Sequence, residues 1–240
     1  MTAQLSNYPE SEVGLVFATP RQEHTPQLAD LSAKTSGRVV SIQTDSGDMQ
    51  SLRGVVETVE RILKEKGKGG LDILVNNAGI SPFTMGKIEN MDGNELNHVF
   101  HTNVTTTHLV TRAFLPLLRN GDRKKPILNS SSTVGSISLA PTFHMSPAYS
   151  YKVSKAGMNS SRCNTRFSMK RKDLRFLLGY APRWTGRVRT FLLRTNGAKE
   201  ELGYVKDGGR ELNGRFLNIR AAGWEDAEGP NRYDGVDPPW

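Results

Sequence analysis

The sequence predicts an α/β fold in which helices cover both faces of one parallel sheet. Four short runs rich in Val, Ile, Leu and Phe have the length and composition of buried strands, at residues 13–18, 38–42, 71–75 and 126–129. The segments between them carry apolar residues at helical spacing. Strands that alternate with helices form a doubly wound parallel sheet, and ligands bind such sheets beyond the carboxyl ends of the strands.

The predicted helices have identifiable starts and apolar faces. Thr25 is predicted to cap a short helix, because Pro26 suits its first position. Asp48 is predicted to cap the next helix. The apolar face of that helix comprises Leu52, Val55, Val56, Val59, Ile62 and Leu63. Residues 95–118 predict one long helix with a continuous apolar surface.

Composition indicates a soluble globular protein of one domain. The chain has 240 residues, of which 36% are hydrophobic and 23% charged, enough for a sizeable core. No apolar run approaches the roughly 18 residues that span a bilayer, and residues 1–12 lack the layout of a signal peptide. Cys163 is the sole cysteine, which suits a reducing compartment. These features predict a cytoplasmic protein without a membrane partner.

The net charge of +8 is concentrated in one segment. Residues 161–194 contain ten Arg or Lys and one acid, Asp173, so the rest of the chain is close to neutral. Basicity of this kind ordinarily indicates an anionic partner. The sequence has five histidines: His24, His98, His101, His108 and His144. No other residues accompany them in a metal-binding pattern, so no metal is predicted.

Tyr151 and Lys155 form the pair with the clearest chemical meaning. They are four residues apart at the start of a predicted helix, so they share one face. An ammonium beside a phenol favours the phenolate and lowers the pKa of the tyrosine. The pair could then give a proton to a carbonyl or take one from an alcohol. Such spacing also arises by chance in most chains this long, so the pair indicates catalysis only when other motifs accompany it.

Four motifs stand in a fixed order: Asn-Asn-Ala-Gly at 76–79, Asn103, three serines at 130–132, and Tyr151 with Lys155. Together they resemble the short-chain dehydrogenase/reductase family, most closely its small NADP-dependent carbonyl reductases and fungal polyketide ketoreductases. The resemblance covers about residues 13–160 and 196–240. It implies one Rossmann-like domain over residues 1–240 that uses NAD(P) to reduce a small-molecule carbonyl or oxidise the alcohol. It also implies a homodimer or homotetramer.

The resemblance also implies catalytic roles. Tyr151 would protonate the carbonyl oxygen, while Lys155 would lower the pKa of Tyr151 and hold the cofactor ribose. Ser132 would hydrogen-bond the carbonyl, although an ordinary strand-end serine is the alternative, with its two serine neighbours as further candidates. Asn103 would support a proton relay through water and Lys155. Phe143 lies in the loop before Tyr151, where substrate contact is plausible.

Four further residues are predicted to contact the cofactor. Asn77 would lie close to the adenosine ribose, unless it serves only a tight turn. Asp45 would accept from the adenine amino group, with helix capping as the alternative. Arg21 follows the first predicted strand, where an Arg suits a 2′-phosphate and favours NADP over NAD. Arg112 is a further cofactor candidate or a solvated helix cation.

Two stretches depart from the family pattern. The family opens on a strand and a Thr-Gly-x-x-x-Gly-x-Gly turn, whose backbone N–H groups approach the pyrophosphate. Residues 1–12 contain no glycine and residues 13–18 resemble the family's second strand, so the first strand and glycine loop are predicted to be missing. That loss should expose the edges of neighbouring strands. Residues 161–195 replace a hydrophobic strand with basic sequence, which indicates a reading-frame change, a mis-joined exon or a genuine insertion.

Two alternative functions remain open from sequence. The chain could be a truncated or frameshifted relative that keeps the four catalytic residues but does not bind dinucleotide. It could instead be an anion-binding module through residues 161–194, with Trp184 available for stacking and with binding that weakens steeply in salt. No nucleic-acid motif accompanies that segment, so nucleic acid is not a predicted partner.

Overall fold

The computed structural model describes residues 2–22, 25–82, 88–121, 125–144, 148–168, 174–180, 190–194, 216–218 and 236–239. Its helices are α1 (Thr2–Ser6), α2 (Pro26–Lys34), α3 (Met49–Glu65), α4 (Gly93–Phe100), α5 (Thr106–Arg119) and α6 (Tyr149–Ser168). Its strands are β1 (Leu15–Ala18), β2 (Val39–Ser41), β3 (Ile73–Asn76), β4 (Lys125–Ser130), β5 (Leu174–Tyr180), β6 (Thr190–Arg194) and β7 (Phe216–Asn218). In these ranges, no helix combines the length and the apolar surface that crossing a bilayer requires.

The seven strands form one sheet in the order β2-β1-β6-β3-β4-β5-β7. The predicted α/β fold class, a Rossmann-like sheet wound on both sides by helices, is confirmed. Adjacent strands run parallel wherever β6 is not involved. β6 runs antiparallel to both β1 and β3, so the prediction of a wholly parallel sheet is wrong at this strand.

β6 also corrects the expectation that the edges of neighbouring strands are exposed. It lies between β1 and β3, where it pairs Leu192 with both Phe17 and Leu74. The edges of β1 and β3 are therefore hydrogen-bonded and not exposed. Unpaired backbone N–H and C=O groups in the centre of a sheet cost free energy. A segment with high β propensity that pairs with both β1 and β3 removes that cost. The run Thr-Phe-Leu-Leu-Arg at 190–194 has that propensity.

The basic stretch 161–195 contains a second strand that the sequence did not predict. β5 lies within it and pairs in parallel with β4, in register from Lys125 and Leu174 to Ser130 and Gly179. β7 pairs in parallel with β5 at the edge of the sheet. Residues 181–189 and 195–215, with Trp184, and the side chains of the ten basic residues lie outside the described part of the chain.

The core has two layers, one on each face of the sheet. Because strand side chains alternate, Phe17 and Leu74 face α3 and α5, whereas Val16 and Val75 face the other way. On that second face, Leu5 of α1 packs against the sheet. The Arg38 guanidinium fastens the N-terminal segment by donating to the carbonyls of Ser6, Tyr8 (2.7 Å) and Val13 (3.2 Å).

Helix boundaries match the sequence in part. Asp48 caps α3, since its carboxylate accepts from the backbone N–H groups of Gln50 and Ser51. Thr25 precedes α2 but makes no side-chain cap bond; its hydroxyl donates to the Gln22 carbonyl instead. The predicted single helix over 95–118 is divided by a π turn at His101–Thr105 between α4 and α5. A wider turn of this kind breaks helical pairing locally and is frequent at functional sites.

Candidate active site

Tyr151 and Lys155 lie together on the first turns of α6. The Lys155 ammonium nitrogen is 5.3 Å from the centre of the Tyr151 ring and donates to the Ser130 carbonyl at 2.8 Å. Lys155 is only 4% exposed. That burial disfavours the charged form and lowers the pKa of Lys155 from its ordinary 10.5 to about 8. The predicted pair is therefore brought into contact at a desolvated site.

Asn103 occupies the π turn and is fully buried. Its side-chain oxygen accepts from the backbone N–H of Ile80 at 2.8 Å. Its amide nitrogen donates to the Ile80 carbonyl and to the Ser154 hydroxyl, each at 2.9 Å. Asn103 thus links the turn after β3 to α6 and fixes the position of both.

Gly79 is the point at which Asn103 and Lys155 converge. A methyl group at Gly79 would lie 3.3 Å from the Asn103 side-chain oxygen and 3.7 Å from the Lys155 nitrogen. Gly79 is itself exposed, so a ligand can reach this point from solvent. The absence of a side chain keeps the two polar groups close to that surface.

Ser132 follows β4 and starts the turn Thr133–Gly135, where its hydroxyl accepts from the Val134 N–H at 3.4 Å. The turn packs on α6: a methyl group at Gly135 would lie 2.6 Å from the Lys155 carbonyl carbon. Ser132 therefore lies on the same wall as Lys155. Among the described residues, the Ser132 hydroxyl has no acceptor for its proton.

The hydroxyls of the two neighbouring serines already donate hydrogen bonds to other side chains. The Ser130 hydroxyl donates to the Asn77 side-chain oxygen at 3.0 Å, and the Ser131 hydroxyl donates to that of Asn159 at 2.6 Å. Of the three serines that the sequence offers, Ser132 remains the one able to donate to a ligand. Asn77, predicted to lie near the cofactor, is buried, and its cofactor role stays a prediction.

The remaining predicted cofactor residues are exposed. Arg21 follows β1 and Asp45 follows β2, with 3.9 Å between the guanidinium and the carboxylate. The other Asp45 oxygen accepts from the Gly47 N–H at 3.1 Å, in the turn before α3. Asp48 caps that helix, so the helix-capping alternative for Asp45 is wrong. Arg112 is an exposed residue of α5, and its predicted cofactor role stays a prediction.

Asp45, Asn77 and Ser132 each follow the carboxyl end of a strand, and these ends lie at one edge of the sheet. β2, β1, β3 and β4 all run in the same direction, since β6 is antiparallel to both of its neighbours. The carboxyl ends of their strands therefore lie on one side of the sheet. The residues that follow those ends face a common region.

Comparison with known proteins decides the family. The sequence pattern described as short chain dehydrogenase matches residues 8–180. The chain belongs to the short-chain dehydrogenase family. Rat mitochondrial D-beta-hydroxybutyrate dehydrogenase is 32% identical over 170 residues, 69% of this chain and 46% of that protein. Short-chain dehydrogenase/reductase AacuF of Aspergillus aculeatus is 31% identical over 163 residues, 65% of this chain and 57% of that protein. The chain thus spans about half the length of these curated relatives.

Solved structures share the fold of this short-chain dehydrogenase. The NADPH-bound carbonyl reductase from chicken fatty liver superposes with a TM-score of 0.72 at 26% identity, covering 90% of this chain and 88% of its own. The carbonyl reductase Sniffer of D. melanogaster superposes with a TM-score of 0.74 at 22% identity, covering 100% and 93%. The second likeness, at that identity, concerns the fold alone.

Sequence reasoning missed two buried polar residues of this short-chain dehydrogenase, Ser154 and Asn159. The Ser154 hydroxyl donates to the Tyr151 carbonyl at 2.8 Å while it accepts from Asn103. Asn159 accepts from Ser131 and donates to the Gly135 carbonyl at 3.4 Å. A signal was available, because these residues are three and eight positions after Tyr151 and share its helix face.

The described residues of this short-chain dehydrogenase fit the nucleoside ends of a dinucleotide better than its phosphates. The exposed Gly79 surface beside Lys155 suits a ribose hydroxyl, and exposed Arg21 suits a 2′-phosphate. The family's glycine-rich turn has no counterpart among the described residues, and antiparallel β6 places Thr190 opposite Asn76 at that sheet edge. A pyrophosphate cradle of the family type is therefore absent from this part of the chain.

Proposed function

We propose that this short-chain dehydrogenase reduces a small-molecule carbonyl, or oxidises the corresponding alcohol, with NADP as cofactor. The observation that carries the proposal is the buried ammonium of Lys155, 5.3 Å from the Tyr151 ring and beside the exposed backbone of Gly79. Burying a cation costs free energy, and ionisable groups whose pKa is shifted by burial cluster at functional sites. The resemblance to carbonyl reductases favours the same chemistry.

Each residue has a defined task in the proposed reaction. The bound cofactor supplies a hydride to the carbonyl carbon. Tyr151 gives its phenolic proton to the carbonyl oxygen, and the ammonium of Lys155 stabilises the phenolate that remains. The Ser132 hydroxyl, which has no other acceptor among the described residues, donates to the same oxygen as charge develops there. Asn103 fixes α6 against the turn at Gly79, so that the proton relay and the ribose site keep their spacing.

Arg21 supports NADP over NAD. Its guanidinium is exposed at the end of β1, where it can pair with a 2′-phosphate. The Asp45 carboxylate at 3.9 Å competes for the same guanidinium. An exposed pair of this kind is worth only about 0–1 kcal/mol, so a doubly charged phosphate displaces Asp45 readily. We therefore expect Arg21→Ala to weaken NADPH binding while leaving NADH binding unchanged.

The antiparallel β6 in the sheet centre favours a second possibility, a family member that does not bind dinucleotide. A chain without a glycine-rich turn at that edge would keep Asn103, Ser132, Tyr151 and Lys155 without binding dinucleotide. The basic side chains that the anion-binding alternative needs lie outside the described part of the chain, and that alternative stays a prediction.

The deciding experiment is an NADPH titration of the purified chain, followed by tryptophan fluorescence and thermal shift. We expect saturable micromolar binding, weakened at least about tenfold in Lys155→Ala, because a lost charge-assisted hydrogen bond is worth about 1.5–3 kcal/mol. Lys34→Ala, which removes an exposed lysine at the end of α2, is the matched control and should bind like the wild type. Tyr151→Phe should bind NADPH but reduce no ketone in a substrate screen. Cooperative unfolding without any NADPH binding would favour the non-binding alternative.

We also propose a homodimer or homotetramer formed through α4 and α6. These helices pack together, with Gly157 against the Phe100 ring, and they leave Phe100 and Val153 38% and 47% exposed. Large exposed apolar side chains on adjacent helices are typical of an interface. Val153→Asp should shift the chain toward monomer in light scattering, whereas Val236→Asp, at an exposed residue elsewhere, should not. An unchanged mass for Val153→Asp would remove this surface as the interface.

A further inference from the structure

Residues 136–144, named here the anchored loop, connect the Ser132 turn to the segment before α6. The loop therefore lies in the chain between Ser132 and Tyr151, the two residues proposed to contact the substrate carbonyl. It consists of successive tight turns, such as Thr142 N–H to the Leu139 carbonyl at 3.0 Å, with no strand or helix of its own. A segment of turns needs external contacts to hold one conformation, because each ordered residue loses about 1–2 kcal/mol of backbone entropy.

The first external contact is made by Ser136. Its side chain is buried, and its hydroxyl donates to the Pro239 carbonyl at 2.6 Å. The same oxygen accepts from the Leu139 N–H at 3.2 Å. One hydroxyl thus ties the beginning of the loop to itself and to the segment 236–239, which comes from the far end of the described chain.

The second external contact is made by Lys152, the residue after Tyr151. Its ammonium donates to the Phe143 carbonyl at 2.6 Å and lies 5.5 Å from the centre of the Tyr149 ring. Phe143 is buried at 7% exposure. Partial burial lowers the pKa of Lys152. The end of the loop is thus fastened directly to the helix turn that carries Tyr151.

We propose that Ser136 and Lys152 are positioning residues that hold the anchored loop, backed by residues 236–239, as a fixed wall of the substrate site. The inference rests on the proposed function, since it assigns the loop to the substrate side of Ser132 and Tyr151. A wall that is ordered before binding spares the substrate the entropy of ordering it. Loosening it therefore raises KM more than it lowers kcat. Neither residue touches the reacting atoms, so NADPH binding is unchanged.

The test combines hydrogen exchange with steady-state kinetics. In Ser136→Ala, in Lys152→Met and in a chain lacking residues 236–240, amide exchange over 136–144 should rise about tenfold, since one hydrogen bond contributes about a factor of ten. Exchange in α5 should stay unchanged. KM for a reduced ketone should rise at least about fivefold, with kcat within about threefold of the wild type. The conservative variants Ser136→Thr and Lys152→Arg should restore both readouts.

Ser160→Ala, which removes an exposed hydroxyl of α6, is the matched control and should change neither readout. Unchanged amide exchange over 136–144 in both Ser136→Ala and Lys152→Met would show that these two residues do not hold the loop. Faster exchange with unchanged KM, or an equal loss of kcat and of NADPH affinity, would overturn the positioning role. The two proposals fail separately: absent NADPH binding by the wild type contradicts the proposed function, while the exchange experiment still decides whether the anchors exist.

Discussion

The Lys155 side chain shows how one buried charge couples the candidate site to the stability of the fold. Its pKa is about 8 in the folded chain and near 10.5 when exposed. Below pH 8 the ammonium is charged in both states, and burying it destabilises the fold by about 3 kcal/mol. Between pH 8 and 10.5 only the unfolded chain binds that proton, so the free energy of unfolding from this group rises with pH.

This linkage predicts a pH-dependent difference between the wild type and Lys155→Met. The variant also leaves the Ser130 carbonyl without its donor, which adds an offset that does not depend on pH. Relative to the variant, the wild type should gain about 2–3 kcal/mol as the pH rises from 7 to 10. Urea unfolding at pH 7, 8, 9 and 10 measures the difference. Lys34→Met should show no such trend, and a flat difference for Lys155→Met would contradict the depressed pKa.

At this scale the sequence identified the residue types but not their partners. The spacing of Tyr151 and Lys155 fixed a shared helix face, and the serine run placed Ser132 at a strand end. The contacts of Lys155 with Ser130 and of Asn103 with Ile80 join residues far apart in the chain. No local pattern encodes such contacts, which is why only the structure showed that the hydroxyls of Ser130 and Ser131 donate to other side chains.

At the scale of elements, the turn that begins at Ser132 approaches α6 so closely that no side chain fits at position 135. The position that a Gly135 Cβ would take is 2.6 Å from the Lys155 carbonyl carbon and 2.7 Å from its Cβ, both parts of a rigid helix. This contact brings Ser132 to the wall that holds Lys155. Glycine is thus required at 135 for space, independent of its backbone conformation.

Gly135→Ala should therefore destabilise the chain by about 1–3 kcal/mol through overpacking, and it should also weaken ketone reduction by displacing Ser132. The matched control is Gly54→Ala on α3, where a methyl group would meet no atom within 4 Å. That change should stabilise the chain by about 0.5–1 kcal/mol, because alanine is the better helix former. Thermal unfolding of both variants gives the comparison. Equal effects of the two changes would mean that the turn does not press on α6.

Element boundaries were predictable where a local interaction sets them. The Asp48 cap depends on side-chain and backbone groups two and three residues apart, and the prediction holds. The π turn at 101–105 was not predictable, because residues on either side keep the apolar spacing of one helix. Its cause is tertiary: Asn103 bonds to Ile80 and Ser154 across the gap between elements.

For the whole molecule, β6 joins two halves of the sheet that have no other strand pairing between them. β2 and β1 lie on one side, while β3, β4, β5 and β7 lie on the other. The sequence did not predict the pairing of β6 with β1 and β3, since strand pairing depends on distant segments and not on local periodicity. The apolar run at 190–194 within a basic stretch was the available signal.

Breaking β6 should accordingly uncouple the halves. Leu192→Pro removes the backbone N–H of the residue paired with both Phe17 and Leu74, and it leaves a buried ladder acceptor unsatisfied at a cost of about 1–3 kcal/mol. We expect urea unfolding to lose cooperativity and show a lower m-value. Leu192→Ile, which keeps the N–H and raises β propensity, should unfold like the wild type. An unchanged midpoint and m-value for the proline variant would contradict the central position of β6.

The central position of β6 also sets the order in which the chain can complete its sheet during translation. β1 to β4 leave the ribosome before residues 190–194 are synthesised, so the nascent chain first holds two unconnected parallel pairs. Each pair has an open edge that is a template for pairing with another chain. Domains generally fold as units, and long-range strand pairing is slow. Before β6 emerges, the open edges of β1 and β3 are therefore the places where another chain can pair with the nascent sheet.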